Sequence, residues 1–409
     1  MTHSQNSEAR PQLLEAARYL FENGHRIESI EKLKETVAQN PRNIQAINTL
    51  AEQLRKIGKD REASRHFQLS LECQPQNNGA IVGLAKIAAS HGNFIIADQM
   101  LKEAHQRSPD ATEVIFAWST ICARMGHFDQ AEEMLQDVIS SHMHPPATVF
   151  DKLGKVYAIR SVTLQEAARH EAEQYRSMEN LIHLAEKMLK RALQQRPDER
   201  DTSYALARVY CLRLNLLGDN NGFPLAVDLL QNCIRSAPLA LMPYEFLGHL
   251  FLGQNKPKDF HKILSQIPRA SETIDHIRLL KLKAKGAFFY TPSKALDYAR
   301  RAMQGETKHK GHKLNSSMAI IYIALASPSD PFLTWIRNVL HQTPSMDYST
   351  LYDTSLRMRG QLNHIRNDPQ RITEFDPNFF ELLSFRTEPR CYRPFSPPTS
   401  TLLPTTRIS

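Results

Sequence analysis

Residues 44–75 read IQAINTLAEQLRKIGKDREASRHFQLSLECQP, and residues 78–109 repeat the design as NGAIVGLAKIAASHGNFIIADQMLKEAHQRSP. Each stretch holds two amphipathic runs joined at a glycine and closed by a proline. Apolar residues recur at helical spacing on both sides of the glycine, as in Ile47, Leu50, Ala51 and Leu54, then Phe67 and Leu71. The glycine falls where the first helix has to stop, because only Gly takes the left-handed conformation there without strain. The proline follows the second helix, where the ladder cannot continue.

The same columns extend outward. Gly24, Gly58, Gly92 and Gly126 stand 34 residues apart, as do Pro41, Pro75 and Pro109, and Pro145 comes two residues late. Ala17, Ala51, Ala85 and Ser119 keep the period, and so do Ser29, Ala63, Ala97 and Ala131, where two helices need to approach closely. A helical hairpin of this kind cannot bury its own apolar face, so stacked neighbours have to complete the core.

Composition agrees with a helical reading. The chain has 409 residues and only 15 glycines, with 41% hydrophobic and 23% charged residues, as in ordered soluble proteins. The longest apolar run, Met318 to Ala326, is too short to span a membrane, and no membrane insertion is expected. The opening MTHSQNSEAR is polar, so no secretory signal is expected. Cys73, Cys122, Cys211, Cys233 and Cys391 are scattered, odd in number and without a CxxC pair. Free thiols in a reducing compartment, the cytoplasm by default, are the expectation.

The columns resemble the tetratricopeptide repeat in their small residues, glycine turn, closing proline and period. The resemblance is specific over residues 10–145 and weakens after Ile267. It implies an all-α, right-handed superhelical solenoid of tetratricopeptide hairpins. Four regular repeats fill residues 1–145, and divergent repeats fill 146–344 with a helical insertion near 160–182. A capping helix is expected at 345–372. The Pro-, Ser- and Thr-rich segment 373–409 is expected to be largely disordered, though its part EFDPNFFELLSF could also cap the array or dock in a groove.

Catalytic signatures fail on residue chemistry. GHLFLGQN, Gly248 to Asn255, has Gln254 where a phosphate loop needs lysine. HEAEQ, His170 to Gln174, lacks the second histidine of a zinc helix. His142 with His144, and His309 with His312, have no cysteine or carboxylate cluster beside them. No enzyme, cofactor or metal is expected.

Binding is the remaining class. By the resemblance, first helices line an inner groove, and the residue after each small packing residue points into it. Those residues are Arg18, Glu52, Lys86, Thr120, Lys155, Arg208 and His249, four of the seven being Lys or Arg. Arg55, Lys56 and Arg124 lie a turn further on, Asn48 a turn before Glu52, and Phe116 offers an apolar anchor. A scaffold or adaptor that binds an acidic peptide segment is the leading expectation, against ordinary solvated helix positions. Some family members clamp the C-terminal tails of heat-shock chaperones with Lys, Asn and Arg. Here Leu14, Arg18, Thr49, Gly79 and Gly83 occupy one frame of that clamp, and Asn48, Glu52, Gly83, Glu113 and Ala117 the next, so a chaperone-tail receptor is not expected. A second surface is the run from Lys256 to Lys313, with 14 Lys or Arg against 5 Asp or Glu in a chain of net charge +8. Arg278, Lys281, Lys283, Lys285, Lys308, Lys310 and Lys313 would form an anion-binding patch there, with nucleic acid as the alternative partner.

Overall fold

A computed structural model describes residues 5–168, 170–254, 256–267, 273–288, 291–310, 316–341 and 348–366. The expected tail 373–409 lies outside them, as do Lys313, His312 and Cys391. All regular elements among the described residues are helices.

The glycine turns show why the hairpins form. At Gly58, φ is +80°, the Lys59 N–H reaches back to the Leu54 carbonyl at 2.9 Å, and the Gly58 N–H reaches that of Arg55 at 2.9 Å. This pair of bonds satisfies carbonyls that the helix end would orphan. The same pair recurs at Gly24, Gly92 and Gly126, each with positive φ. At the other end of the hairpin, Asn43 and Asn77 accept the backbone N–H of Ala46 and Ala80 at 3.1 and 2.8 Å. Each asparagine stands two residues after its closing proline and starts the next first helix.

The described chain divides into two compact units, residues 37–222 and residues 5–36 with 223–366. The first unit holds α3 (Ile44–Lys56), α4 (Asp60–Cys73), α5 (Asn78–Ser90), α6 (Phe94–Arg107), α7 (Thr112–Met125), α8 (Phe128–Ser141), α9 (Ala147–Thr163), α10 (Gln165–Ala168), α11 (Ala172–Gln195) and α12 (Arg200–Leu217). Each helix packs on the next, and the first helices α3, α5, α7, α9 and α12 also pack side by side in that order. Leu50, Leu54, Ala63, Ala97, Leu101, Ala131, Leu135 and Leu189 are wholly buried. The extra residues after Arg160 are helical: α9 has 17 residues and its partner α11 has 24, with the single turn of α10 between them. Close approach depends on small residues. A Cβ on Gly83 would stand 2.2 Å from the Phe67 ring, so the ring reaches α5 only because that residue is glycine.

The second unit holds α1 (Gln5–Glu22), the start of α2 (Arg26–Gln39), α13 (Gly222–Ser236), α14 (Leu241–Gly253), α15 (Pro257–Ser265), α16 (Thr273–Ala287), α17 (Pro292–Lys310), α18 (Ser316–Leu325), α19 (Pro331–His341) and α20 (Tyr348–Arg366). GHLFLGQN begins inside α14, where Gly248 admits the ring of Phe260 rather than a phosphate. Helix α18 is buried from Met318 to Ala324 and is covered by Ser355, Met358 and Leu362 of α20. Arg359 donates to the carbonyl of Ala324 at 2.9 Å and to those of Ile323 and Ala326, so α20 also caps the end of α18.

Candidate functional site

The first-helix wall of residues 37–222 gathers charge from three repeats. On α3, the Arg55 guanidinium grips the Glu52 carboxylate through two bonds of 2.8 and 2.7 Å. Burial alone would raise the Glu52 carboxyl. Hydrogen bonds from Arg55 and the charges of Lys86, Arg55 and Lys56 outweigh burial and hold it below its usual range. On α9, Lys155 donates to Asp151 at 2.7 Å, and Asp151 also accepts the Thr202 hydroxyl of α12 at 3.0 Å. Both carboxylates are therefore already engaged.

Two ammonium groups in this wall have no ion pair or hydrogen bond among the described residues. Lys86 is exposed on α5, and its ammonium is lowered from its ordinary value by desolvation, with Glu52 opposing and Arg55 and Lys56 adding. Lys152 on α9 is pushed down to about 8, first by burial, then by Lys155 and Lys86, against the pull of Asp151 and Asp201. Helices α5 and α9 both pack on α7. Each lysine feels nearby carboxylates without bonding to one, which leaves its ammonium hydrogens open to an anionic partner.

Lys152 was not among the expected groove residues. A signal for it exists in the repeat columns: its equivalents in the other first helices are Thr49, Gly83, Ala117 and Ala205, all small and buried.

The other expected groove residues divide. Arg18 is exposed on α1, and His249 lies on α14, where burial and Lys285 hold it well below its usual value, so both belong to the other unit. Asn48 donates to Asn77 at 2.9 Å and so ties α3 to the start of α5. The Thr120 hydroxyl bonds the Phe116 carbonyl at 2.8 Å within α7, and Phe116 itself is half-buried. Arg124 lies 4.6 Å over the ring of Phe94. Lys56 ends α3 exposed, and Arg208 is half-buried on α12.

Some residues of the expected anion-binding patch are engaged within the fold. Arg278 on α16 forks onto Glu245 of α14, with its Nε 3.0 Å from Oε1, and Lys281 pairs with Glu306 of α17. Lys285 is 3% exposed, and burial pushes it down to about 7, with Glu245 opposing and Lys281 adding. Lys283 is half-buried, and the side chains of Lys308 and Lys310 lie outside the described residues. Arg278 and Lys281 thus join α16 to α14 and α17.

Among the described residues, no cluster of three His, Cys, Asp or Glu side chains could hold a metal, and no helix is long and apolar enough to cross a membrane. Burial pushes the Cys122 and Cys211 thiols up to about 12, which keeps them protonated and poorly nucleophilic.

No family model and no curated protein matches the chain. Among solved structures, a tetratricopeptide repeat protein from Parabacteroides merdae is similar over 67% of this chain and 98% of its own, at 14% identity and a TM-score of 0.40. Human IFIT1, solved as a dimer with m7Gppp-AAAA, is similar over 82% of this chain and 68% of its own, at 13% identity and a TM-score of 0.47. A tetratricopeptide protein of Thermus thermophilus is similar over 49% of this chain and 99% of its own, at 18% identity and a TM-score of 0.38. These are distant likenesses of helical-repeat architecture, and what those proteins bind is said of them alone.

Proposed function

We propose that this tetratricopeptide-like repeat chain is a non-enzymatic interaction scaffold that takes an acidic peptide segment along α3, α5, α7 and α9. The observation that carries the reading is that Lys86 and Lys152 make no ion pair or hydrogen bond among the described residues, Glu52 and Asp151 being bonded to Arg55 and Lys155 and acting on the two lysines only at longer range. An extended segment would lie across the first helices. Its carboxylates would meet the two lysines, and Phe116 would offer apolar contact. The four described cysteines are free thiols, the state that a reducing compartment such as the cytoplasm maintains. Nucleic-acid binding through residues 256–313 is the weaker reading, because Arg278 and Lys281 already have acidic partners.

Fluorescence anisotropy with a labelled, glutamate-rich peptide of about a dozen residues tests the scaffold reading. Affinity is expected to fall as salt is raised, since exposed charges are screened over about 8–10 Å. It is also expected to fall about tenfold or more in Lys86→Glu, since one close charge contact is worth of the order of 1.4 kcal/mol or more. Equal affinity of wild type and variant at low salt would overturn it.

A further inference from the structure

We infer that Leu239 is a clasp that holds the first hairpin, α1 and α2, against the segment that begins at α13. Leu239 stands in the turn between α13 and α14, directly after Pro238. In the corresponding turns the residue after the proline is Arg42, Gln76, Asp110 or Asp198, each of them polar and exposed. An apolar side chain at this tip breaks the pattern, and it is 42% exposed. The turn holds it firmly. The Ala240 N–H donates to the Ala237 carbonyl at 3.1 Å, and the buried Tyr244 donates its hydroxyl to the Pro238 carbonyl at 3.1 Å.

The partner of this tip is the glycine turn of the first hairpin. A Cβ placed on Gly24 would stand 3.1 Å from the Leu239 carbonyl oxygen and 3.2 Å from the Leu239 Cβ. Gly58, Gly92 and Gly126 occupy the equivalent turns with the same positive φ, yet a Cβ on any of them meets no described atom within 4 Å. Glycine at position 24 therefore does two things. It closes the hairpin, and it lets Leu239 lie against bare backbone. Residues 5–36 accordingly belong to the same compact unit as residues 223–366, although residues 37–222 separate them in sequence. A terminal hairpin in a repeat array has a stacked neighbour on one side only. The contact at Leu239 gives this hairpin a second attachment. It is one apolar side chain on one turn, so it can open while the cores of α16 to α18 stay packed.

Amide hydrogen exchange on the full chain tests the clasp from both of its faces. Leu239→Asp puts into this turn the residue that Asp110 and Asp198 supply in equivalent turns, so the turn itself is kept. Exchange in α1 and α2 is expected to speed up about fivefold or more, with α5 to α8 and α16 to α18 unchanged. Leu239→Met should keep the wild-type pattern. Gly24→Asn approaches from the other side. Asparagine tolerates left-handed backbone, so its effect comes chiefly from a side chain pushed against Leu239. Gly58→Asn is the control, with the same backbone and open space around it. Gly24→Asn should speed exchange in α1 and α2, and Gly58→Asn should change α3 and α4 clearly less. Unchanged exchange in α1 and α2 in either Leu239→Asp or Gly24→Asn would overturn the clasp. An equal loss of protection in α16 to α18 would overturn it as well, because Leu239 would then support the core of its own segment.

Discussion

Lys285 sits in an environment that opposes its charge. Its ordinary value is near 10.4, and burial brings it to about 7 in the folded chain. Folding therefore favours the neutral amine. The penalty for the ammonium is fully present below about pH 7 and disappears as pH rises through the unfolded value, so stability should increase between about pH 7 and 10. Lys285→Met should raise stability at pH 7 by about 1–4 kcal/mol, as replacement of buried charge by packed apolar atoms does. Its advantage over the wild type should shrink by pH 9.5, as read from thermal melts at both pH values. An advantage that does not change with pH would mean that Lys285 is charged in the folded state through contacts stronger than its burial.

Helices and turns give predictions of a different kind. No atom lies within 4 Å of a Cβ placed on Gly58, so the cost of a side chain there is wholly one of backbone conformation. Gly58→Val should cost at least ~1 kcal/mol, and Gly58→Asn less, because asparagine tolerates the left-handed region. Gly83 is the opposite case, with ordinary backbone and no space, since its Cβ would strike the Phe67 ring at 2.2 Å. Gly83→Ala should cost about 1–3 kcal/mol through overpacking. Phe67→Leu should recover part of that loss, and a double-mutant cycle measures the coupling. The repeat register also places Leu50 and Leu84 in equivalent positions. Leu50 is wholly buried, while Leu84 is half-buried. Leu50→Ala should therefore cost roughly 2–5 kcal/mol in denaturant melts, and Leu84→Ala clearly less.

At the scale of the molecule, repeats contact chiefly their neighbours, and each of the two compact units has its own buried core. Stability in such arrays is a sum of local packing contributions rather than one global quantity. Leu101→Ala removes side-chain atoms from the centre of α6. It should lower amide-exchange protection through α5 to α8 and leave α17 and α18 unchanged. Uniform loss across the chain would show that both units unfold together.

What the residues determine unaided is the hairpin and its period. The glycine turn, the closing proline and the small-residue columns act through backbone conformation and contacts within one or two repeats, so a linear reading recovers α1 to α9 from their spacing. The run of helix formers near 160–182 pointed to an insertion of helical character, but not to how its residues are shared between α9, α10 and α11. The partners of charged side chains lie beyond such reading. Arg278 and Glu245 are 33 residues apart, Lys281 and Glu306 are 25 apart, and Asn48 meets Asn77 across 29. Thr202 meets Asp151 across 51 residues, where α12 packs on α9. A local excess of lysine and arginine counts charges, whereas binding depends on which of them remain unneutralised once the helices have stacked. Only the tertiary structure decides that, because neutralisation and desolvation both act through space.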